Sequence, residues 1–137
     1  MKKKTLRLLA LICILTLLLG TVSFASENSS AYISSTSGYI TYSGNNINVY
    51  FTIVGRHRMD EIGVSEILLY EQNGNTWNRV YTFEADDPAY TADMLSYNTS
   101  AKADHVTYSG DSSKNYYAIL YFYAADANGS DTIPYIT

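Results

Sequence analysis

The feature that most restricts the fold is a strand-like run near the carboxyl end, NYYAILYFYAA (115–125), whose side chains alternate between two faces. One face carries Tyr116, Ala118, Leu120, Phe122 and Ala124, and the other carries Tyr117, Ile119, Tyr121 and Tyr123. The Asn128–Gly129 pair that follows is typical of a tight β-hairpin turn. Both faces are apolar or aromatic, so if one face packs into a core, the second face needs a separate explanation.

The same alternation recurs between turn-forming residues along most of the chain. It predicts strands at 38–42, 47–54, 62–71, 76–83, 103–109, 115–125 and 132–137. The Asn73–Gly74 pair predicts a second hairpin, and Pro134 predicts an edge strand because proline cannot donate to a ladder. The charged residues 55–61 predict a loop, and residues 84–100 predict a long connection with at most one helical turn near 93–97.

Short strands separated by frequent turns predict an all-β chain with a single antiparallel β-sandwich domain of about seven strands at 38–137. The segment YSGDSSKNYYAILYFYAADANGSD (108–131) resembles the last hairpin of fibronectin type III and related sandwiches. In those folds a tyrosine opens the penultimate strand, alternating apolar residues follow, and an Asn-Gly turn leads to a Ser/Asp edge. The resemblance implies an immunoglobulin/fibronectin III-like architecture.

Residues 1–25 have the layout of a secretory signal peptide. Three lysines and Arg7 precede the apolar run 8–19, and the small residues Ser23 and Ala25 predict cleavage after Ala25. The alternative is a retained membrane anchor, but the apolar run is shorter than the ~20 residues that a bilayer span needs. We therefore expect a secreted protein with no membrane association after cleavage, in which residues 26–37 form a flexible, serine-rich lead-in.

The charge after cleavage restricts the partners. Four of the nine basic residues would leave with the signal peptide and all thirteen acidic residues would stay, which gives a charge of −8. Nucleic acid and anionic membranes are bound through Lys and Arg, so neither is an expected partner. The one cysteine, Cys13, also leaves, and the fold must therefore hold without a disulfide.

Several short motifs of the mature chain carry a second resemblance. They are M-x-x-I-G from Met59, I-x-L-Y-E from Ile67, N-G-x-x-W from Asn73, M-L-x-Y-N-T-S from Met94, V-T-Y from Val106 and N-G-S-D-T from Asn128. Together they are similar to a family of small exported proteins of Gram-positive bacteria that has no assigned activity. The resemblance implies export and the sandwich architecture, and it transfers no site residue.

No catalytic motif is present. No cysteine remains after cleavage, His57 and His105 form no zinc-ligand spacing, and no serine stands in a Gly-x-Ser-x-Gly elbow. The sequence therefore predicts a protein that is not an enzyme. A small secreted hydrolase that uses acidic residues of the 84–93 loop remains the alternative.

One acidic cluster of that loop is a candidate metal site. Glu84, Asp86 and Asp87 repel one another unless they are solvated or neutralised, so they predict either a solvated loop or a weak extracellular calcium site. No other cofactor is expected.

The tyrosines supply the main functional hypothesis. Fourteen tyrosines are present, and alternation places Tyr70, Tyr117, Tyr121 and Tyr123 on the outer face. Trp77 and Tyr81 share one face of the returning hairpin strand and complete the set of predicted binding residues. Such a surface is either a cross-strand ladder that stabilises the sheet or a docking surface. The second alternative predicts a non-enzymatic interaction module that binds a protein or cell-surface partner, and a module that binds glycan or cell-wall polysaccharide is the other binding alternative.

Overall fold

The computed structural model describes residues 30–137, so the predicted signal peptide 1–25 lies outside the described residues. The elements are β1 (Ile33–Ser43), β2 (Asn46–Asn73), β3 (Thr76–Glu84), the single-turn helix α1 (Thr91–Met94), β4 (Leu95–Ser109), β5 (Tyr116–Asp126) and β6 (Gly129–Ile136). Within this range no helix is both long and apolar enough to cross a membrane.

All six strands belong to one antiparallel sheet organised around β2, which is 28 residues long. The first half of β2 pairs with β1 on one side and with β4 on the other. Its second half pairs with β5 on the β1 side and with β3 on the β4 side, and β6 pairs with β5. A single strand therefore connects both halves of the structure.

The sheet curls so that its two halves face each other across the core. On one side of β2, the rings of Tyr42 in β1 and Tyr116 in β5 lie 6.1 Å apart. On the other side, the rings of Tyr81 in β3 and Tyr108 in β4 lie 5.6 Å apart. The enclosed core is apolar, and its largest fully buried side chains are Phe51, Phe83, Phe122, Ile47, Ile53, Met59, Ile62, Ile67, Leu69, Met94, Leu120 and Val49.

The bend in β2 explains why sequence analysis divided this strand in two. The pairing register with β4 shifts between Val54 and Met59, and the register with β5 shifts between Val64 and Glu66. Bulges of this kind bend a strand and increase its twist. The prediction of a loop at 55–61 is therefore wrong, because this charged segment is the bent middle of β2 rather than a break in the sheet.

The all-β, antiparallel prediction is confirmed, and the β-sandwich prediction becomes one curled six-stranded sheet. Hairpins form at both Asn-Gly pairs, and Gly74 has the left-handed φ of 64° that such a turn favours. Pro134 does lie in the edge strand β6, opposite Tyr121. The helical turn α1 lies two residues before the predicted position.

The prediction of a flexible lead-in at 26–37 is wrong for its later residues. Strand β1 begins at Ile33, and Ser30 is buried. The Ser30 hydroxyl donates to the carboxylate of Asp131 in β6 and accepts from the backbone N–H of Ile33 at 2.7 Å. These hydrogen bonds fasten the start of β1 to the far edge of the sheet, which serine content alone does not reveal.

Candidate functional site

Five of the six predicted binding residues share the outer face of the β5–β2–β3 region, on the side away from the core. Tyr70 lies opposite Tyr117 on the neighbouring strand, with ring centroids 4.8 Å apart and planes 4° from parallel. Trp77 packs against Tyr117 with its ring at 69° and a centroid distance of 4.9 Å. We call Tyr70, Trp77 and Tyr117 the aromatic patch. Trp77 is 42% exposed, so the patch is accessible from solvent.

The same face continues along β5 from the aromatic patch. Leu68 and Ile119 form the next row, in which Leu68 is almost fully buried. Tyr121 then lies opposite Glu66, and Tyr123 lies opposite Gly63. Tyr121 and Tyr123 are half-buried and alternate with fully buried residues of β5. They therefore lie on the outer face, as the alternation predicted.

Tyr81 does not belong to this face, and the prediction that it shares a face with Trp77 is wrong. The register between β2 and β3 shifts at Val80, because Leu69 pairs with Tyr81 whereas Tyr70 pairs with Arg79. The extra residue reverses the alternation of β3. Tyr81 therefore points to the inner side, where its hydroxyl lies 2.8 Å from that of Tyr90 and raises the pKa of Tyr90 to about 12.

The outer face ends in a groove where β3 and β4 part from each other along β2. Pairing of β4 with β2 ends at Gly63, and pairing of β3 with β2 begins at Glu66, which leaves an opening floored by Ser65. The groove has a volume of about 730 Å³. Its lining residues are Glu61, Ser65, Glu66, Glu84, Ala85, Asp86, Thr91, Leu95, Tyr97 and Tyr123. We call it the acidic groove, and through Tyr123 it joins the outer face that carries the aromatic patch.

Close packing at Gly63 fixes one wall of the acidic groove. Gly63 has φ of 157°, and a Cβ added there would lie 1.9 Å from the backbone oxygen of Met94. Only glycine permits this approach of α1 to β2. Because Gly63 has no side chain, Leu95 on one side and Tyr123 on the other can line the same opening.

The acidic groove concentrates negative charge. Glu66 and Glu84 occupy directly opposite positions on β2 and β3. Like charges in this arrangement destabilise a sheet. Among residues 30–137 no ion pair or side-chain hydrogen bond is found for Glu61, Glu66, Glu84 or Asp86. The Lys ion pairs of this range join Lys102 to Asp104 and Lys114 to Glu71, and the histidines His57 and His105 lie near Asp126 and Asp104. The groove therefore presents four carboxylates to whatever enters it.

The proposed calcium ligands are not brought together. Glu84 and Asp86 line the acidic groove, whereas the Asp87 carboxylate turns into its own loop and accepts from the backbone N–H of Ala89 at 2.9 Å. In the described part of the chain no group of three or more His, Cys, Asp or Glu side chains is placed to hold a metal ion. Glu84, Asp86 and Asp87 therefore do not form the predicted cluster.

Neither histidine lines the acidic groove. His57 lies 2.7 Å from Asp126 at the turn between β5 and β6. The ring of His105 stacks on Tyr50 at 4.7 Å, and Tyr50 stacks on Tyr39 at 5.1 Å. This three-ring stack, which sequence analysis did not single out, lies on the outer face of the other half of the sheet.

Asp104, next to His105, is engaged with a lysine. Its carboxylate is desolvated, which opposes ionisation, but hydrogen bonds from the Lys102 ammonium at 3.0 Å and the His105 backbone N–H at 2.9 Å outweigh this and lower the pKa of Asp104. Its distance to the imidazole nitrogen of His105 is 3.6 Å, beyond hydrogen-bond range. Asp104 therefore serves the Lys102 ion pair rather than a catalytic histidine.

The sequence identified the tyrosines of this face and missed half of the acidic groove. Glu66 shares its predicted strand face with Leu68 and Tyr70, so the alternation of side chains was sufficient to place Glu66 on the outer face. Glu61 fell in a predicted loop and Tyr97 in the long predicted connection, and no local signal placed them together. Comparisons of the chain with known protein families, with curated proteins and with solved structures found no match.

Proposed function

We propose that this protein is an exported, non-enzymatic interaction module that binds a protein or cell-surface partner through the outer face of β5, β2 and β3. The observation that carries the proposal is the continuity of the aromatic patch with the acidic groove on one solvent-facing side of the sheet. The signal-peptide layout and the resemblance to small exported Gram-positive proteins support the extracellular location. The fibronectin III-like hairpin at 108–131 supports an immunoglobulin-like binding module in which the two facing halves act as the layers.

The aromatic patch does not belong to the core cluster. The buried side chains of the core come from the opposite face of the same strands, such as Ile67 and Leu69 on β2 and Leu120 on β5. Tyrosine and tryptophan combine a large apolar ring with a polar group and lose little rotamer entropy on binding, which suits an interface. Aromatic residues are enriched at protein interfaces, so an outer surface that combines such rings with a groove supports docking of a protein or a polymer.

Specific observations also favour two alternative functions. Exposed aromatic rings beside carboxylates also suit a glycan or cell-wall polysaccharide, since rings stack on sugar faces and carboxylates accept hydrogen bonds from sugar hydroxyls. The acidic groove is lined by Glu84 and Asp86 together with Glu61 and Glu66, and a pair of carboxylates in a cleft is what a small hydrolase would use. Hydrolysis of chromogenic glycosides that is lost in Glu66→Gln would favour the hydrolase.

The proposal is tested by partner binding with matched variants. The full chain is expressed in a Gram-positive host, purified, and titrated against purified wall polysaccharides, a glycan array and immobilised surface proteins of that host. The variant Trp77→Ala/Tyr117→Ala is expected to lose binding, whereas Tyr39→Ala/Tyr50→Ala, which removes a similar stack on the other half, is expected to keep it. Equal binding by both variants would contradict the proposal.

A further inference from the structure

We infer that the acidic groove receives an arginine side chain carried by an extended segment of a partner protein. The inference rests on the proposed function and specifies the chemistry of its partner. It starts from Glu66 and Glu84 in the groove lining, which are directly opposite each other with no basic partner among the described residues. Arg79, the basic residue of β3, lies opposite Tyr70 instead.

Opposed glutamates match a guanidinium group. Side chains at directly opposite positions of an antiparallel pair have Cβ atoms about 4.5–5.5 Å apart. A planar guanidinium has five N–H donors in a fixed fork and bridges two carboxylates with charge-assisted hydrogen bonds. It would also remove the repulsion that the two glutamates exert on each other in the free protein.

The walls of the acidic groove favour arginine over a small cation. Tyr97, which lies opposite Glu61 and is 56% exposed, and Tyr123 present aromatic rings beside the carboxylates. A guanidinium stacks on such rings and gains cation–π attraction. A volume of about 730 Å³ is far larger than a single ion requires, and no metal-ligating cluster is formed within residues 30–137.

The continuity with the aromatic patch specifies the ligand as an extended peptide. The row of Glu66 and the row of Tyr70 lie four residues apart on β2, which is about 13 Å in an extended strand. Residues i and i+4 of an extended peptide point to the same side and have the same spacing. A segment with arginine at one position and an apolar residue four positions away can therefore contact the acidic groove and the aromatic patch together.

The first test uses the unmodified protein. The full chain is titrated by calorimetry with a seven-residue peptide that carries arginine and leucine four positions apart, and with a peptide in which citrulline replaces arginine. Citrulline keeps the shape and removes the charge, so we expect at least tenfold weaker binding. Binding of the arginine peptide should also weaken as the salt concentration is raised from 50 to 500 mM, because the contact is ionic. Equal affinity of the two peptides would overturn the inference.

The second test changes the acidic groove. The double variant Glu66→Gln/Glu84→Gln is expected to bind the arginine peptide at least tenfold more weakly. The single variants Glu66→Gln and Glu84→Gln are expected to lose an intermediate amount of affinity. The control Asp60→Asn/Asp93→Asn removes the same charge from exposed residues outside the groove lining and should change affinity less than twofold. Equal losses in the control and the groove variant would overturn the inference, because they would reflect net charge alone.

The result also separates this inference from the proposed function. No binding of the arginine peptide, with a partner or polysaccharide still bound through Trp77 and Tyr117, would overturn the inference and leave the proposed function standing. Peptide binding that survives Trp77→Ala/Tyr117→Ala but is lost in Glu66→Gln/Glu84→Gln would support the arginine contact and limit the contribution of the aromatic patch.

Discussion

The rings of Tyr70 and Tyr117 stack face to face across β2 and β5, with centroids 4.8 Å apart and planes within 4° of parallel. A second cross-strand pair, Tyr39 and Tyr50, has nearly the same geometry, with a centroid distance of 5.1 Å and planes 5° apart. Only the first pair adjoins the groove-bearing face. The protein thus contains two similar stacks, of which one adjoins the face that bears the acidic groove and the other does not.

Both stacks are expected to stabilise the fold to a similar degree. A double-mutant cycle with Tyr70→Ala and Tyr117→Ala should give a coupling free energy of about 0.5–1.5 kcal/mol in urea unfolding. The cycle with Tyr39→Ala and Tyr50→Ala should give a value in the same range. A coupling near zero for Tyr70 and Tyr117 alone would indicate that this stack does not hold the sheet together, and so would shift the explanation of these rings towards binding.

Most of the fold was accessible from sequence because alternation is a local property. The inner and outer faces of β5 were assigned correctly, since an unbroken period of two extends from Tyr116 to Ala124. The same rule failed at Val80, where one extra residue reversed the alternation and moved Tyr81 to the inner side. A bulge depends on how two strands pair, and neither strand shows it alone.

The acidic groove could not be predicted for the same reason. To predict that Glu66 lies opposite Glu84, one must know the pairing register between β2 and β3. To predict that Glu61 lines the groove, one must know that the charged segment 55–61 is part of a strand. That segment was predicted to be a loop because it is rich in charged residues, most of which are exposed. Local composition identified the chemical groups, and long-range pairing brought them together.

Gly63 is expected to be the least replaceable residue near the acidic groove. In Gly63→Ala the new Cβ would collide with the Met94 backbone oxygen, which lies 1.9 Å from its ideal position. We expect a loss of about 3 kcal/mol or more in the free energy of unfolding, because α1 must move or β2 must distort. Gly74→Ala is the control, since φ is also positive there but nothing lies within 4 Å. It should lose about 1–2 kcal/mol, the backbone cost alone. Equal losses would show that the approach of α1 is not tight.

The signal peptide is expected to be removed after Ala25. When the full chain is expressed in a Gram-positive host, amino-terminal sequencing of protein in the medium should begin at Ser26. Ala25→Phe places a bulky residue at the cleavage site and should leave the precursor with the cells. Protein that stays cell-bound with an intact amino terminus in the unsubstituted chain would contradict export by this route.

Glu71 is expected to make the protein sensitive to acid. Hydrogen bonds from the Lys114 ammonium at 2.6 Å and the Tyr116 hydroxyl at 2.7 Å lower the pKa of Glu71 below its ordinary value of 4.5. A carboxyl whose pKa is lower in the folded state contributes stability above the unfolded value, and this contribution is lost as the pH falls through the folded value. Glu71→Gln should therefore lower the free energy of unfolding at pH 7 and flatten its decline below pH 4.5. A decline as steep as in the unsubstituted protein would contradict this role.

Tyr116 is expected to make the free energy of unfolding depend on pH in the alkaline range. Burial and the hydrogen bond to Glu71 raise the pKa of Tyr116 from 10.0 to about 12. A phenol whose pKa is higher in the folded state contributes stability that is complete below pH 10 and is lost as the pH rises through about 12. Tyr116→Phe should lose about 1.5–3 kcal/mol at pH 7, the range for a hydrogen bond to a charged group, and the difference should shrink between pH 10 and 12. Tyr39→Phe on the exposed outer face should stay within about 0.5 kcal/mol of the unsubstituted protein at pH 7. Urea unfolding at stepped pH measures both, and a Tyr116→Phe difference that stays constant up to pH 12 would show that the hydroxyl is not held by Glu71.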